Sequence, residues 1–182
     1  MTPTIHDGRE APHALPTAPS QGIEAPDFKQ LMRAVASSVA VITTFLDGKP
    51  HGMTATAFSS VSANPPTVLI VLNKGTRTHP LITQSRRFVV NMLHKEQVAL
   101  GMRFSGKLDD QFSDLGYRTG RTGAPILNDV VSYFECETLS EVDVDTHTIF
   151  VGRVVAGEAR SLSPLLYHCG QYKTLLEESP DI

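Results

Sequence analysis

The chain has 182 residues, 41% of them hydrophobic, which is enough for one domain with an apolar core but hardly for two. Its formal net charge of -3 gives no basic footprint for nucleic acid, and no apolar run approaches the ~18 residues of a membrane span. Two cysteines without the spacing of a disulfide framework, and an N-terminus without the apolar core of a secretory signal, make a cytoplasmic protein the expectation.

Residues 1–26 differ in composition from the rest of the chain. They contain five prolines, few large apolar residues and no hydrophobic period. Such a segment cannot bury enough apolar surface to offset the entropy lost when it orders. We therefore interpret residues 1–26 as a mobile arm and residues 27–182 as a single domain. Whether the arm wraps a partner subunit is left open by the sequence.

From about residue 27 onwards the chain shows periodic apolar patterns. A helix is predicted first, with Asp27 as its N-cap candidate, because apolar residues recur at helical spacing. They are Phe28, Leu31, Met32 and Val35. The next stretch, VAVITTFLDGKPHGMTATAFSSVS at 39–62, is typical of a β-hairpin whose turn is Asp47-Gly48.

The remaining elements are predicted from shorter patterns. The prolines of ANPPT at 63–67 indicate a turn, and the apolar run VLIVLN at 68–73 indicates a buried strand. After these we expect a short helix at 79–85, a strand at 87–93, a helix at 95–105, and strands around 130–141, 145–158 and 165–172. Strands joined by short turns, with helices inserted, favour a mainly β fold built as an antiparallel barrel. No GxGxxG follows a strand, so a Rossmann dinucleotide site is not expected.

The stretch GMTATAFSSVS at 52–62 is unusual for a strand. Alternation places hydroxyl side chains and Phe58 on one face and mostly small side chains on the other, so neither face resembles an ordinary core. Small side chains allow a flat ligand to approach the backbone, and hydroxyls add donors and acceptors. An aromatic heterocycle with a polar edge would suit this surface, and a solvent-facing Thr/Ser strand is the alternative.

A second stretch, LNKGTRTHPLI at 72–82, combines cationic and hydroxyl side chains with a predicted helix start near Pro80. Free N–H groups at a helix start attract phosphate, and Lys74 and Arg77 would reinforce this attraction. A flavin or nucleotide phosphate would therefore fit. The alternative is a threonine N-cap surrounded by surface charges.

Two further stretches contain candidate ligand contacts. In MRFSGKLDDQF at 102–112, Phe104 could stack on a ring and Ser105 could bind a phosphate or ribityl chain, although a simple helix end has the same pattern. In VDVDTHTIFVGRVV at 142–155, strand geometry would place His147 on the same face as Asp143 and Asp145, where it could position a ligand. The alternative for His147 is a partly exposed strand histidine.

Metal and nucleophile chemistry are not expected. His168 and Cys169 are adjacent, which is poor geometry for joint ligation, and no CxxC or HExxH spacing occurs. No stretch forms a nucleophile elbow.

Together with RFVVNML at 87–93 and PLLYHCGQY at 164–172, these stretches resemble the flavin reductase family of two-component flavin-dependent monooxygenases. The likeness is to reductase components of 4-hydroxyphenylacetate 3-monooxygenase type, and it covers about residues 28–175. It implies an FMN-binding split barrel, which is an antiparallel Greek-key-like β-barrel, usually as a homodimer. It also implies FMN or FAD bound with the isoalloxazine against residues 53–57.

The resemblance also implies individual contacts. The residues that match the family's flavin site are Met53, Thr54, Ala55, Thr56, Ala57, Ser60, Val61, Ser62, Val71, Leu72, Asn73, Arg77, Thr78, Phe104, Ser105 and Tyr172. His147 matches the histidine that the family places near the nicotinamide. Many members read Gly-Asp-His where this chain reads Asp145-Thr146-His147, so the turn before the histidine lacks the family's glycine.

The activity implied by the resemblance is NAD(P)H:flavin oxidation-reduction, in which hydride passes from the nicotinamide to flavin. Reduced flavin would then reach a partner oxygenase. A flavoenzyme that retains its flavin and reduces another acceptor, such as a corrinoid cobalt, is one alternative. A non-catalytic flavin-binding protein on the same barrel is another. The choices between FMN and FAD, and between NADH and NADPH, stay open at this point.

Overall fold

The computed structural model describes residues 22–106 and 108–175, so most of the predicted arm, residues 1–21, lies outside the described residues. The helices in the described part are α1 (Ala25–Arg33), α2 (Thr78–Ser85) and α3 (Val98–Ser105). The strands there are β1 (Ser37–Ser38), β2 (Ala40–Leu46), β3 (Lys49–Ala55), β4 (Phe58–Ala63), β5 (Pro66–Asn73), β6 (Arg87–Met92), β7 (Tyr117–Thr119), β8 (Pro125–Leu127), β9 (Ser132–Val144), β10 (His147–Ala159), β11 (Leu165–His168) and β12 (Gln171–Thr174). The residues of α1 up to Met32 belong to one compact unit of the chain, and a second unit begins at Arg33.

Seven of these strands form one antiparallel sheet in the order β3-β2-β6-β9-β10-β5-β4. A flat sheet of this width would hold its edge strands about 29 Å apart. Only Thr56 and Ala57 separate β3 from β4, however, and three Cα steps span at most about 11 Å. The sheet must therefore curl until its two edges meet, which confirms the predicted antiparallel barrel.

Turn chemistry accounts for the hairpins. The β2–β3 turn is Asp47-Gly48 as predicted, and both residues have positive φ (50° and 77°), as a type I′ turn requires. Cys169 and Gly170 also have positive φ (51° and 78°) and form a turn between β11 and β12. The prediction of one strand over 165–172 was therefore wrong.

Two other sequence predictions are corrected by the structure. The stretch 52–62 is two strands, since β3 ends at Ala55 and β4 begins at Phe58. Helix α1 begins at Ala25, so Asp27 lies in its first turn, where a carboxylate favours the helix dipole, and is not its N-cap.

The barrel core is built from side chains of neighbouring strands. Phe88 on β6 and Phe150 on β10 are fully buried and pack with Ile42 and Ile70. A Cβ atom at Gly152 would lie 2.5 Å from the Phe88 ring, so this packing requires glycine there. No helix among the described residues has the length and apolar character needed to cross a membrane.

Candidate active site

A cavity of about 500 Å³ lies where β3, the loop before α2 and the end of α3 converge. We call it the central cavity. Its lining residues are Gly52, Met53, Thr54, Gly75, Thr76, Arg77, Thr78, Phe104, Ser105, Gly106, Asp109 and Gln111. Six predicted flavin contacts are among them: Met53, Thr54, Arg77, Thr78, Phe104 and Ser105. Three stretches that are far apart in the sequence therefore meet at one site.

The β3 wall of the central cavity is held by helix α3. Thr54 Oγ1 donates a 2.6 Å hydrogen bond to the Gly101 carbonyl, so this hydroxyl hydrogen already has a partner. Phe104 is 2% exposed and packs edge-on against Phe112, with ring centroids 5.1 Å apart. The Phe104 ring is therefore part of a packed wall and does not present an open face for stacking.

The loop before α2 is shaped by Asn73. Its Oδ1 accepts a 2.8 Å hydrogen bond from the Gly75 N–H, and its carbonyl accepts one of 2.8 Å from Thr76 Oγ1. These bonds turn the chain from the end of β5 into α2, as the sequence predicted. Arg77 at this point donates to Asp109 Oδ1 at 3.1 Å and to the Leu108 carbonyl. The helix start therefore presents a guanidinium at the cavity.

The other predicted flavin contacts lie outside the central-cavity lining. Ala55, Thr56 and Ala57 form the link from β3 to β4, and the Ala57 carbonyl accepts a 3.2 Å hydrogen bond from the Val71 N–H. Ser60, Val61 and Ser62 lie on β4, where the register shifts between Ser60 and Ser62.

Leu72 and Tyr172 differ from these residues in their surroundings. Leu72 on β5 is fully buried, so a ligand bound beside this residue could contact its backbone but not its side chain. Tyr172 packs against α3, and its hydroxyl would be 3.1 Å from a Cβ atom placed at Gly101. Tyr172 therefore supports the helix whose end lines the central cavity.

His147 stands at the first position of β10, directly opposite Asn73 of β5. Its Nδ1 lies 2.9 Å from Thr146 Oγ1. The Thr146 carbonyl accepts a 2.9 Å hydrogen bond from the Lys74 N–H, which ties this turn to the loop before α2. The half-buried imidazole is thus held beside the loop that lines the central cavity.

The expectation that His147 shares a strand face with Asp143 and Asp145 was wrong. Residues 142–155 are two strands joined by a turn, and Asp143 pairs with Thr148 across that hairpin. Thr148 Oγ1 donates to Asp143 Oδ1 at 2.8 Å, and the Lys74 ammonium lies 3.4 Å from Asp143 Oδ2. The hydrogen bond from Thr148, together with Lys74, holds the pKa of the Asp143 carboxyl below its ordinary value.

A second cavity, of about 680 Å³, adjoins the first, and we call it the Lys49 cavity. Its lining residues are Lys49, Pro50, His51, Arg77, Thr78, Pro80, Leu81, Asp109, Asp110 and Gln111. The sequence prediction did not include Lys49 or His51. The signal was present in the alternation of β3, which places both residues on the same face as Met53.

Comparison with known proteins shows what this chain is similar to. The model of the family described as "Flavin reductase like domain" matches residues 32–176. An NADH-dependent flavin reductase, StyB, of Pseudomonas fluorescens is 36% identical over 154 residues, covering 82% of this chain and 89% of that protein. The reductase component of 4-nitrophenol 4-monooxygenase/4-nitrocatechol 2-monooxygenase of Rhodococcus opacus is 32% identical over 152 residues, covering 84% and 82%.

A longer relative and a solved structure extend the comparison. A probable flavin reductase of Rhizobium meliloti (strain 1021) is 38% identical over 142 residues, which cover 78% of this chain but only 46% of that protein. The solved structure of flavin reductase PheA2 in its native state is 35% identical and covers 85% of this chain and 100% of the solved one, with a TM-score of 0.80. The split-barrel fold expected from the resemblance is thereby confirmed. The chain belongs to the flavin reductase like domain family.

Proposed function

We propose that this protein is an NAD(P)H:flavin oxidoreductase that passes hydride from a nicotinamide nucleotide to FMN or FAD. The supporting observation is the convergence of three sequence stretches on the central cavity, with Met53 and Phe104 at one wall and Arg77 at another. A cavity of about 500 Å³ has the size of a cofactor site, and its lining combines the apolar Met53 and Phe104 with hydroxyl, amide and charged side chains.

The residues present fit a flavin at this site. Among the described strands, β3 pairs with β2 alone, so part of its backbone N–H and C=O groups face away from the sheet and are available to the polar edge of a flat ring. Arg77 and the start of α2 at Thr78 provide a cation and backbone N–H groups for a phosphate. Of the remaining proposed contacts, Ala55 leaves room at the ring and His147 would orient the nicotinamide.

The chemistry when flavin is bound is hydride acceptance by the flavin ring, so no protein nucleophile is required. The protein's task is to bind both rings and to hold them at a reacting distance on the order of 3–3.5 Å. Backbone N–H groups of β3 would stabilise the negative charge that develops on the reduced ring.

The proposal extends to the partners of this protein. A relative of this chain is named as the reductase component of a monooxygenase, and we infer that this chain likewise supplies reduced flavin to a partner oxygenase in the cytoplasm. We also infer a homodimer. The half-exposed Leu139, Val142 and Val144 lie along β9, and a second copy would remove such apolar surface from water. Sedimentation of the purified protein as a monomer at micromolar concentration would contradict the dimer.

The test mixes the purified protein with NADH and either free FMN or free FAD. We expect flavin-dependent loss of NADH absorbance, and we expect the protein to emerge colourless from gel filtration because the flavin leaves. Absence of NADH consumption with every flavin and with NADPH would overturn the activity and favour a flavin-binding protein. Retained yellow colour would overturn the supply of reduced flavin and favour a flavoenzyme that reduces another acceptor.

A further inference from the structure

Helix α2 and strand β10 begin next to each other, and each begins with a residue of the proposed site. Thr78 is the first residue of α2 and lines the central cavity, and His79 follows it. His147 is the first residue of β10, and Thr148 follows it. His79 Nε2 lies 2.8 Å from Thr148 Oγ1. One hydrogen bond therefore joins the residue after a proposed flavin contact to the residue after the proposed nicotinamide contact.

The direction of this hydrogen bond follows from a third residue. Thr148 Oγ1 has a single hydrogen and donates it to Asp143 Oδ1 at 2.8 Å. This bond is the largest factor that holds the pKa of the Asp143 carboxyl below its ordinary value, so the group is a carboxylate that only accepts. The Thr148 oxygen must then accept from His79, which means that Nε2 of the imidazole carries a hydrogen.

The contact between His79 and Thr148 is shielded from water. Thr148 is 1% exposed, and the half-buried His79 ring packs edge-on against the fully buried Phe150, with ring centroids 5.3 Å apart. A hydrogen bond with a buried partner is costly to leave unmade, because water cannot replace the lost group. The imidazole is therefore held at two points of β10, by a hydroxyl and by a ring.

A second side-chain contact joins α2 to the same β9–β10 hairpin, but at a different place. Thr83 lies in the second half of α2, and its Oγ1 donates a 3.1 Å hydrogen bond to Glu141 Oε2. Glu141 lies opposite Phe150, three residues after His147 on β10. This exposed contact holds α2 to the body of the hairpin, whereas the contact of His79 holds α2 to the first residues of β10.

We propose that His79 is a positioning residue for hydride transfer, which acts through Thr148 to hold His147 in place against the start of α2. This inference rests on the proposed function, because it takes His147 as the nicotinamide contact. Without the His79 donor, His147 would be correctly placed in a smaller fraction of the molecules, and the apparent affinity for the pyridine nucleotide would fall by that fraction. Flavin binding would persist, because Thr78 and Ile82 keep α2 in place by their own burial.

The kinetic test compares the wild type with His79→Leu, which fills the space beside Phe150 without a donor, and with His79→Gln, which carries an N–H donor at its end. Loss of one hydrogen bond corresponds to about a two- to tenfold change in an equilibrium. We expect His79→Leu to raise the KM for NADH by about that factor, with kcat and the KM for flavin within about twofold. His79→Gln should recover most of the loss.

Thr83→Val is the matched control, since it removes the other contact between α2 and the hairpin, and it should leave the KM for NADH unchanged. An equal rise of both KM values in His79→Leu, together with a lowered Tm, would overturn the inference and assign His79 to support of the fold. An equal effect of Thr83→Val would overturn it as well.

A double-mutant cycle tests whether His79 acts through His147. In the His147→Ala background, we expect His79→Leu to have no further effect on the KM for NADH, because both substitutions then affect the same group. Full additivity of the two effects would overturn the inference.

A third measurement needs no substrate. Proton–nitrogen correlation spectra of the imidazole identify which ring nitrogen of His79 carries a hydrogen, and we expect it on Nε2, with a resonance that shifts in Thr148→Val. A hydrogen on Nδ1 alone, or an unchanged resonance in Thr148→Val, would overturn the contact. Absence of NADH consumption by the wild type, with the Nε2 hydrogen in place, would instead overturn the proposed function.

Discussion

Gly52 on β3 lies directly against the ring of Phe104 on α3. A Cβ atom added at Gly52 would lie 2.8 Å from Phe104 Cε1 and 3.3 Å from the Ile42 carbonyl oxygen. Phe104 is held in turn by the edge of Phe112. The floor of the central cavity is therefore a tight contact between backbone and ring, and its width depends on the absence of one side chain.

The variant Gly52→Ala should consequently be less stable than the wild type. The new methyl group has to displace a buried ring, and such overpacking costs about 1–3 kcal/mol. Urea unfolding measures the loss of free energy. Gly22→Ala is the matched control, since a Cβ atom at Gly22 meets nothing within 4 Å. Equal unfolding free energies of Gly52→Ala and wild type would show that Phe104 moves without cost.

Ala55→Ile should block the approach of a flat ring to the end of β3. A ligand present at 100 times its dissociation constant stabilises the folded state by about 2.7 kcal/mol. We expect this gain, measured as a flavin-dependent rise in Tm, to disappear in Ala55→Ile. The control Ala63→Ile places the same side chain at an exposed position at the end of β4. A flavin-dependent Tm rise of wild-type size in Ala55→Ile would contradict the proposed ring position.

His147→Ala should raise the KM for NADH more than the KM for flavin. The imidazole is held beside the β5–α2 loop through the Thr146–Lys74 hydrogen bond, so its removal leaves the flavin contacts in place. Steady-state kinetics with each substrate varied in turn measure the two KM values. His168→Ala, on a different sheet, is the control. If NADH dependence is unchanged, His147 is an ordinary strand histidine.

Asp109→Asn should strengthen FMN binding. Asp109 competes with the ligand phosphate for the Arg77 guanidinium, and an exposed ion pair of this kind corresponds to about a two- to fivefold effect on affinity. Riboflavin has no phosphate, so its affinity should not change. Titration of both ligands into Asp109→Asn and into Asp129→Asn gives the comparison. Asp129 forms a similar pair with Arg160 at 3.3 Å, outside both cavity linings. Weaker FMN binding by Asp109→Asn would mean that Asp109 orders Arg77 for the ligand.

We expect the free energy of unfolding to depend on pH through the Asp143 carboxyl. Its pKa is lowered in the folded state by the Thr148 hydrogen bond and by Lys74. A carboxyl whose pKa is depressed on folding stabilises the protein above its unfolded pKa, and this contribution is lost as pH falls through the folded pKa. Asp143→Asn should therefore reduce the free energy of unfolding at pH 7 more than at pH 3. Asp145→Asn, in the adjacent turn, is the control. If the difference in unfolding free energy between Asp143→Asn and the wild type is as large at pH 3 as at pH 7, the Asp143 carboxyl does not make this contribution.

Much of this fold could be predicted from the sequence, because helix spacing, apolar runs and turn dipeptides each depend on only a few neighbouring residues. The helical spacing predicted α1, Pro80 predicted the start of α2, the apolar run predicted β5, and Asp47-Gly48 predicted the first hairpin turn. The break between β3 and β4 has no local marker, since it follows from closure of a sheet whose edges are brought together by long-range pairing.

The candidate site was predicted in part for the same reason. Arg77 and Thr78 were identified because charge and helix start are local features of the sequence. The burial of Phe104 depends on Phe112, which lies beyond the helix end, so a stacking role was assigned to a ring that is packed inside. Lys49 and His51 were missed because the cavity that they line also needs residues of α2, which alternation along β3 alone does not reveal.

The two-residue link between β3 and β4, which carries two of the proposed flavin contacts, is the place where the barrel closes. Thr56 and Ala57 cannot move apart from their neighbours without separating the two sheet edges. Amide exchange at the seam should therefore require the same opening as exchange in the core strands, and flavin binding should slow both by the same factor. A protein arranged in this way does not lose its ligand site before it unfolds.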